Sequence, residues 1–360
     1  MRVLILTNND IGLYKFRREL LEELVRNNKV YICLPEGEFI PELKKIGCKF
    51  IECRLMDRRG TNPLTDLKLI KFYKQIIVKA KADIVLTYTI KPNAYGGMVC
   101  ASLGVPYVAN VTGLGTAIEN GGLLQKISLI LYKIGLRKAQ KVFFQNIENR
   151  NFMVKHHIVK GAYDVLPGSG VNLAQYKLED YPNKETIDFV FVARVMKEKG
   201  IEQYLDAAEY IRNKYLNTRF HICGFCEQNY KDRLAQLEKE GVIVYHGLVS
   251  NMVDIYKMCS CTVHPTYYPE GLSNVLLESA ASARPIITTN RSGCREVVED
   301  GVNGYVVRER DSQDLIEKIE KFIKLPWKEK KNMGLYGRQK VEREFDRKIV
   351  VKKYLLEIER

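Results

Sequence analysis

Two glutamates eight residues apart, Glu270 and Glu278, bracket the run Gly271-Leu272-Ser273-Asn274-Val275. Gly271 lets backbone come close to another group. Ser273 or Asn274 is placed to cap a helix, and Arg284-Pro285 to end it. The first N–H groups of that helix, at Ser273, Asn274 and Val275, join the positive end of its dipole in a seat for a phosphate or a hydroxyl. Glu278 stands one turn after Asn274, so both side chains share a face, while Glu270 reaches another part of the same ligand. The spacing alone fits an ordinary amphipathic helix with a solvated Glu278 equally well.

A second group follows the apolar run 187–193, in Arg194-Val195-Met196-Lys197-Glu198-Lys199-Gly200. Arg194 at a strand end and Lys199 at a helix start can converge on a diphosphate. A planar fork and a point charge together suit the stabilisation of a leaving phosphate. Two solvated loop cations are the plainer alternative. Gly12 ends Asn8-Asn9-Asp10-Ile11-Gly12 ahead of a helix, a single glycine with a weak claim on phosphate. Thr112-Gly113-Leu114-Gly115 would expose backbone N–H groups, although such a pair of glycines is common in plain turns.

The elements that must position these residues alternate along the chain. Apolar runs at 2–7, 29–34, 49–53, 83–87, 106–110, 140–145 and 162–166 read as strands, with helical patterns at 13–27, 65–80, 92–103 and 122–138. Turn residues Pro167-Gly168-Ser169-Gly170 and a polar stretch, Lys177 to Lys184, interrupt the pattern. Strands resume at 187–193 and follow near 218–223, 242–246, 261–264, 285–288 and 304–307. This predicts an α/β chain of two doubly wound parallel-sheet domains joined near 167–172, with ligands at the carboxyl ends of the strands.

Composition narrows the function classes. At 360 residues and 46% hydrophobic the chain is long enough for two full cores. Its nine cysteines offer no metal-ligand spacing, so no metal site is expected. Cys223 and Cys226 read as core thiols rather than a redox pair. Reduced thiols and the absence of a signal peptide point to the cytoplasm. Residues 1–175 hold 26 Lys/Arg against 14 Asp/Glu, and residues 176–360 hold 31 against 29. A basic first half suggests a polyanion, a membrane or a diphosphate substrate. No nucleic-acid-binding motif accompanies the charge, which disfavours nucleic acid. No GxGxxG follows the first strand, which disfavours an NAD oxidoreductase.

Glu270-x7-Glu278, Arg194 with Lys199-Gly200, and the downstream loop Thr289–Glu296 together resemble the family-4 retaining glycosyltransferases of the GT-B fold. The likeness covers nearly the whole chain and keeps the motif order. It implies two Rossmann-like domains facing each other across a cleft: an acceptor-binding domain over 1–167, completed by a helix at 345–360 that crosses back, and a nucleotide-sugar-binding domain over 168–344. It also implies metal-independent, configuration-retaining transfer from a nucleotide sugar, with no cofactor. By the same likeness Arg194 and Lys199 hold the donor diphosphate, Glu270 meets the donor sugar, and Glu278 binds the ribose hydroxyls. The backbone around Gly271, Leu272, Ser273, Asn274 and Val275 would meet the sugar and phosphate, and the loop His246–Ser250, with Val249, would meet a uracil.

Leu6–Gly12, Lys91-Pro92-Asn93-Ala94-Tyr95-Gly96 and Asn110–Gly115 are most similar to the subgroup that elongates polyprenyl-diphosphate-linked sugars for bacterial capsule, O-antigen or protein-glycan precursors, commonly from UDP-N-acetylhexosamines. Two departures matter. Many relatives carry paired glycines and a histidine in the first loop, where this chain has Asn8 to Gly12. Many also carry a histidine after the fourth strand, where this chain reads Thr87-Tyr88-Thr89-Ile90-Lys91. No acceptor base is assigned on that ground.

Lys126, Lys133, Arg137, Lys138 and Lys141 interleave with Leu123, Leu124, Ile127, Leu129, Ile130, Leu131, Ile134 and Leu136, and the segment Lys68 to Lys81 is similar. Neither is long enough to span a bilayer; each suits an interfacial helix or a sheet-packed helix with a solvated back. The basic excess favours peripheral contact with the inner face of the plasma membrane. The leading expectation is therefore a sugar transferase acting on a membrane-bound acceptor. A nucleotide-sugar epimerase or soluble-acceptor transferase, and a non-catalytic nucleotide-binding module, are the alternatives.

Overall fold

Alternation of branched apolar residues sets the strands and divides their side chains between two faces. The computed structural model describes residues 1–56, 62–115, 118, 121–183 and 185–359; Lys184 and Arg360, which end two of the segments read above, lie outside them. Contacts divide the chain into two units. Unit 1 holds Met1–Gly170, the short segment Pro269–Leu272 and the chain from Arg347 on; unit 2 holds Val171–Tyr268 and Ser273–Asp346.

Unit 1 is built on β1 (Arg2–Leu6), β2 (Lys29–Leu34), β3 (Lys49–Glu52), β4 (Ile84–Tyr88), β5 (Tyr107–Val111), β6 (Lys141–Phe144) and β7 (Tyr163–Val165). Their order across the sheet is β3-β2-β1-β4-β5-β6-β7, and every pairing is parallel. Leu4, Leu6, Val85, Ala109 and Phe144 form one core with Tyr73 and Ile77 of α3 (Pro63–Ala80) and Tyr132 of α5 (Gly122–Leu136). Between these helices lies α4 (Gly97–Leu103). Val3, Ile5, Ile32, Leu86 and Phe143 point the other way, onto Leu20 and Leu24 of α1 (Asp10–Asn27) and Tyr354 of α13 (Arg347–Ile358). The remaining helices of this unit are α2 (Ile40–Ile46) and α6 (Ile147–Lys155). Period-two alternation thus feeds two cores from each strand.

Unit 2 repeats the plan with β8 (Ile187–Val192), β9 (Thr218–Cys223), β10 (Ile243–Gly247), β11 (Cys261–His264), β12 (Ile286–Thr289) and β13 (Gly304–Val307). The order is β10-β9-β8-β11-β12-β13, again all parallel. Its helices are α7 (Ile201–Lys214), α8 (Lys231–Lys239), α9 (Met252–Met258), α10 (Asn274–Ala281), α11 (Ser312–Lys324) and α12 (Trp327–Glu344). Each sheet reverses its strand order beside its first strand, between β1 and β4 and between β8 and β11. Such a reversal opens a crevice at the carboxyl ends, where the loops after β1 and β8 emerge.

The differences from the sequence reading have local causes. Helix α1 starts at Asp10 because the Asn9 side chain accepts the Gly12 N–H at 2.6 Å. The helix expected over 92–103 opens as a single π turn, Pro92–Gly96. Inside that turn the buried Asn93 accepts a hydrogen bond from Thr87 Oγ1 (2.7 Å) and donates to Asn110 O (2.8 Å), tying it to the ends of β4 and β5. Cys223 is buried, but Cys226 is half-exposed and not a core thiol.

The two lysine-rich helices differ. Helix α3 buries Leu69, Tyr73, Ile76 and Ile77 against the sheet and turns Lys68, Lys71, Lys74 and Lys79 outward, together with Leu64, Leu67 and Val78. Helix α5 exposes Leu123, Leu124, Ile127, Ile130 and Ile134 together with Lys126 and Lys133, and buries only Ser128, Tyr132, Gly135 and Leu136. Among the described residues no helix is long and apolar enough to cross a membrane.

Arg284 does not end α10 as the sequence suggested. The helix stops at Ala281, the chain reverses through Ala283 at φ 54°, and Arg284 then turns fully inward. Its guanidinium donates to the carbonyls of Tyr256 (2.6 Å), Asp180 (2.8 Å), Glu179 (3.1 Å) and Lys257 (3.2 Å). It thereby staples the connection before β8 to the end of α9. Burial pulls its pKa below the ordinary value, so those carbonyls carry the task of holding the charge. Replacing Arg284 with Ala would strand several buried acceptors. The expected loss is about 3–5 kcal/mol of unfolding free energy, read from urea denaturation.

Candidate active site

Beyond the end of β8 the chain makes a short 3-10 turn, Lys197–Lys199, and enters α7. Arg194 and Lys199, five residues apart, both meet the ring of Tyr268: Arg194 Cζ lies 5.4 Å and Lys199 Nζ 4.7 Å from its centroid. Lys199 is buried, with 9% of its surface exposed, which is rare for a lysine and marks it as held rather than solvated. The alternative of two solvated loop cations is thereby ruled out. Arg194 also pairs with Glu227, from the loop after β9. Burial works against the Arg194 charge, but the hydrogen bond and charge of Glu227, with Tyr268 beside it, raise the guanidinium above its ordinary pKa.

Tyr268 is fixed through its backbone. Its N–H donates to Thr266 Oγ1 (3.1 Å), and its carbonyl accepts Arg291 Nε (2.9 Å). Thr266 Oγ1 in turn donates to Glu198 O (3.3 Å), and the Tyr267 N–H donates to the same carbonyl (2.9 Å). The Arg194 loop and the Tyr268 loop are therefore laced together.

At the start of α10, Ser273 and Asn274 behave differently from the expectation. Ser273 is the N-cap residue, but its side chain makes no capping bond; its Oγ lies 3.4 Å from His264 Nε2. Its N–H is also taken, donating to Gly293 O at 2.8 Å. Gly293 is held in turn by Glu296, which accepts its N–H at 2.7 Å and Ser292 Oγ at 3.0 Å. So the Thr289–Glu296 loop supports the helix start, and Ser273 offers no open N–H. The Asn274 Oδ1 is buried and finds no hydrogen-bond partner among the described residues. Val275 follows in the first turn, where its carbonyl accepts the Tyr256 hydroxyl at 3.3 Å. Glu278, one turn beyond Asn274, is half-exposed and also accepts from Tyr256 (3.3 Å). Burial, and secondarily the Glu278 charge, push the Tyr256 phenol well above its usual pKa and keep it a donor.

Glu270, Gly271 and Leu272 count with unit 1. Asn146 Nδ2 donates to the carbonyls of Gly271 (2.6 Å) and Glu270 (3.2 Å), while its Oδ1 accepts the Asn149 N–H (2.7 Å) and caps α6. A Cβ on Gly271 would lie 2.0 Å from Thr112 O and 2.5 Å from Gln145 Oε1. The close approach that glycine permits here is to the chain itself, at the ends of β5 and β6. Gly12 lies within the first turn of α1, not ahead of it, and its N–H is bonded to Asn9. It is therefore not an open phosphate contact.

Val249 lies in the turn after β10 and is partly buried. Just before that turn, His246 Nε2 lies 3.0 Å from His221 Nδ1, and His221 Nε2 lies 2.9 Å from the buried Asp188 carboxylate. Burial, and then the neighbouring His221, hold the His246 pKa below its ordinary value.

With this geometry in place, comparison with known proteins is decisive. The model for glycosyl transferases group 1 matches residues 177–340, and the model for the glycosyl transferase 4-like domain matches residues 2–146. The chain belongs to these glycosyltransferases. It is similar to the N,N'-diacetylbacillosaminyl-diphospho-undecaprenol alpha-1,3-N-acetylgalactosaminyltransferase of Campylobacter jejuni, 24% identical over 99% of this chain and 97% of the relative. It is also similar to the capsular polysaccharide biosynthesis glycosyltransferase CapM of Staphylococcus aureus, 26% identical over 96% and 93% of the two chains. Among solved structures, Anabaena Alr3699/HepE in complex with UDP and glucose superimposes with a TM-score of 0.79, at 15% identity over 99% of each chain. The glycosyltransferase thus has the GT-B fold and hexosyltransferase activity.

The sequence singles out Arg194, Lys199, Glu270 and Glu278; Tyr268, Glu227 and Asn146, which contact them or their neighbours in the structure, were not read from it. Tyr268 stands two residues before Glu270, but only the fold brings its ring to Arg194 and Lys199, and no spacing signals that contact. Asn146 before the run at 147–155 has the type of a helix cap. For Asn146→Ala in this glycosyltransferase, loss of the cap lowers stability by ~1–2 kcal/mol. Release of the Glu270 backbone lowers kcat/KM on the order of tenfold or more. Urea denaturation and steady-state kinetics on the same preparation check the two effects together.

Proposed function

We propose that this glycosyltransferase moves an N-acetylhexosamine from a UDP-sugar to a polyprenyl-diphosphate-linked saccharide, with retention of configuration, in bacterial surface-polysaccharide or glycan assembly. The observation that carries the reading is the convergence of Arg194 and buried Lys199 on Tyr268, beside the strand reversal of the second sheet. Two cations held where such sheets take ligands fit the diphosphate of a nucleotide sugar. The donor and acceptor classes are drawn from the Campylobacter relative, whose name specifies an N-acetylgalactosaminyl group and an undecaprenol diphosphate, and from the UDP in the Anabaena complex.

In this reading Glu270 meets the donor sugar, Glu278 takes the ribose hydroxyls, and the turn at Val249 takes the base. Gly271, Leu272, Asn274 and Val275 lie alongside the sugar and phosphate, and the orphaned Asn274 Oδ1 is an acceptor suited to a ligand hydroxyl. The bond from the anomeric carbon to the phosphate oxygen breaks, and a bond to the acceptor hydroxyl forms on the same face. The acceptor proton passes to the departing phosphate oxygen. Arg194 and Lys199 stabilise the charge that develops on UDP, so the protein needs no metal ion of its own. Removal of one such donor costs ~3–4 kcal/mol of transition-state stabilisation. Arg194→Ala and Lys199→Ala are each expected to lower turnover on the order of a hundredfold while keeping the fold. A panel of UDP-sugars with a polyprenyl-diphosphate-linked acceptor, read by mass and linkage analysis, tests the reaction. UDP release without acceptor would point instead to epimerisation or hydrolysis.

An acceptor of this class is met at a lipid surface, and in this reading α5 supplies the means of contact. Its exposed row Leu123, Leu124, Ile127, Ile130 and Ile134, flanked by Lys126, Lys133, Arg137 and Lys138, fits an interfacial helix on an anionic leaflet. The site of action is then the inner face of the plasma membrane. Flotation with anionic vesicles at low salt should carry the protein upward. Ile127→Glu with Ile130→Glu should leave it at the bottom, and flotation that is indifferent to both changes would remove the assignment.

A further inference from the structure

The loop after β9 is built to bring one carboxylate to Arg194. Gly224 opens it at φ 146°, and a Cβ there would lie 1.8 Å from Ala193 O, so only glycine lets the loop cross the end of β8 this closely. Beyond it the strap is zipped to the Arg194 segment. The Val195 N–H donates to Phe225 O (2.9 Å), and the Glu227 and Gln228 N–H groups donate to Val195 O (3.1 and 3.4 Å). The Gln228 side chain accepts the Lys197 N–H (2.8 Å) and donates to Glu198 (3.2 Å). Glu227 is thus set by backbone on both sides, and its Oε2 accepts from Arg194 Nη1.

We propose that Glu227 is a positioning residue: it pins one corner of the Arg194 guanidinium, with the Tyr268 ring beside it, and so holds the remaining N–H edge at a fixed angle for the phosphate that leaves. This rests on the reading of Arg194 as the diphosphate ligand. An arginine has long, mobile torsions, and its planar fork is selective only when its plane is set beforehand. A carboxylate beside an incoming diphosphate also repels it, so Glu227 cannot act by raising donor affinity. Its gain lies in the transition state, where an aligned donor meets developing charge.

That argument separates kcat from KM. Glu227→Ala should lower kcat tenfold or more without raising the donor KM. Glu227→Gln keeps a carbonyl acceptor without the charge; it should retain most of kcat and show an equal or lower KM. In an Arg194→Ala background, Glu227→Ala should change kcat less than twofold, because the group it acts through is gone. Wild-type kcat in Glu227→Ala, an equal loss in Glu227→Gln, or a tenfold loss that persists without Arg194 would each overturn the proposal. If Arg194→Ala itself keeps normal turnover, the donor-site reading fails. If Arg194→Ala is crippled while Glu227→Ala is not, only the positioning role fails.

Discussion

Arg194 and Lys199, two like charges just beyond β8, both meet the ring of Tyr268. Left to itself such a pair would separate into solvent, since repulsion and side-chain entropy both favour that. The protein prevents it with one aromatic ring and one carboxylate: Tyr268 faces both Arg194 and Lys199, and Glu227 pairs with Arg194. Much of the second unit can be understood as support for those two groups. The strap after β9 carries Glu227; the loop after β11, bonded to Glu198 and Arg291, carries Tyr268.

The fold was legible in the sequence because its signals are local. Each strand is a short branched-apolar run, and the alternation of strands with helical spacing leaves little choice but parallel sheets. The same locality made Arg194 and Lys199 findable, since both lie within a few residues of a strand that the pattern marks. Glu270 and Glu278 were found for the same reason, flanking a helix start. What was not legible depends on pairing across sequence distance. Arg194 meets Glu227 across 33 positions, and Asn146 reaches Gly271 across 125. Neither partner has a type or spacing that announces the other. Arg284 shows the limit most plainly: next to a proline it reads as a helix end, yet its guanidinium is a buried clasp on four distant carbonyls.

Backbone donors that a sequence seems to leave open are often already used. Gly12 and Ser273 both stand at helix starts after strands, where a phosphate seat is a natural expectation. In the structure the Gly12 N–H goes to Asn9 and the Ser273 N–H goes to Gly293. Buried N–H groups are rarely left unpaired, and a chain that must fold before it meets its ligand satisfies them from within where it can. The groups that remain available for recognition are therefore side chains more than amides.

The contrast between α3 and α5 makes the same point for the surface. Both helices carry lysines interleaved with large apolar residues, and sequence treats them alike. In α3 Leu69, Tyr73, Ile76 and Ile77 face the sheet and the lysines face out, although Leu64, Leu67 and Val78 towards its two ends are exposed as well. In α5 the apolar residues that would be buried by that logic are instead exposed, and the residues that do face inward are small or few. A helix that keeps five large aliphatic side chains exposed among the described residues carries a hydrophobic cost. The cations flanking that row make it basic as well as apolar, and they would oppose its association with a second copy of this basic chain.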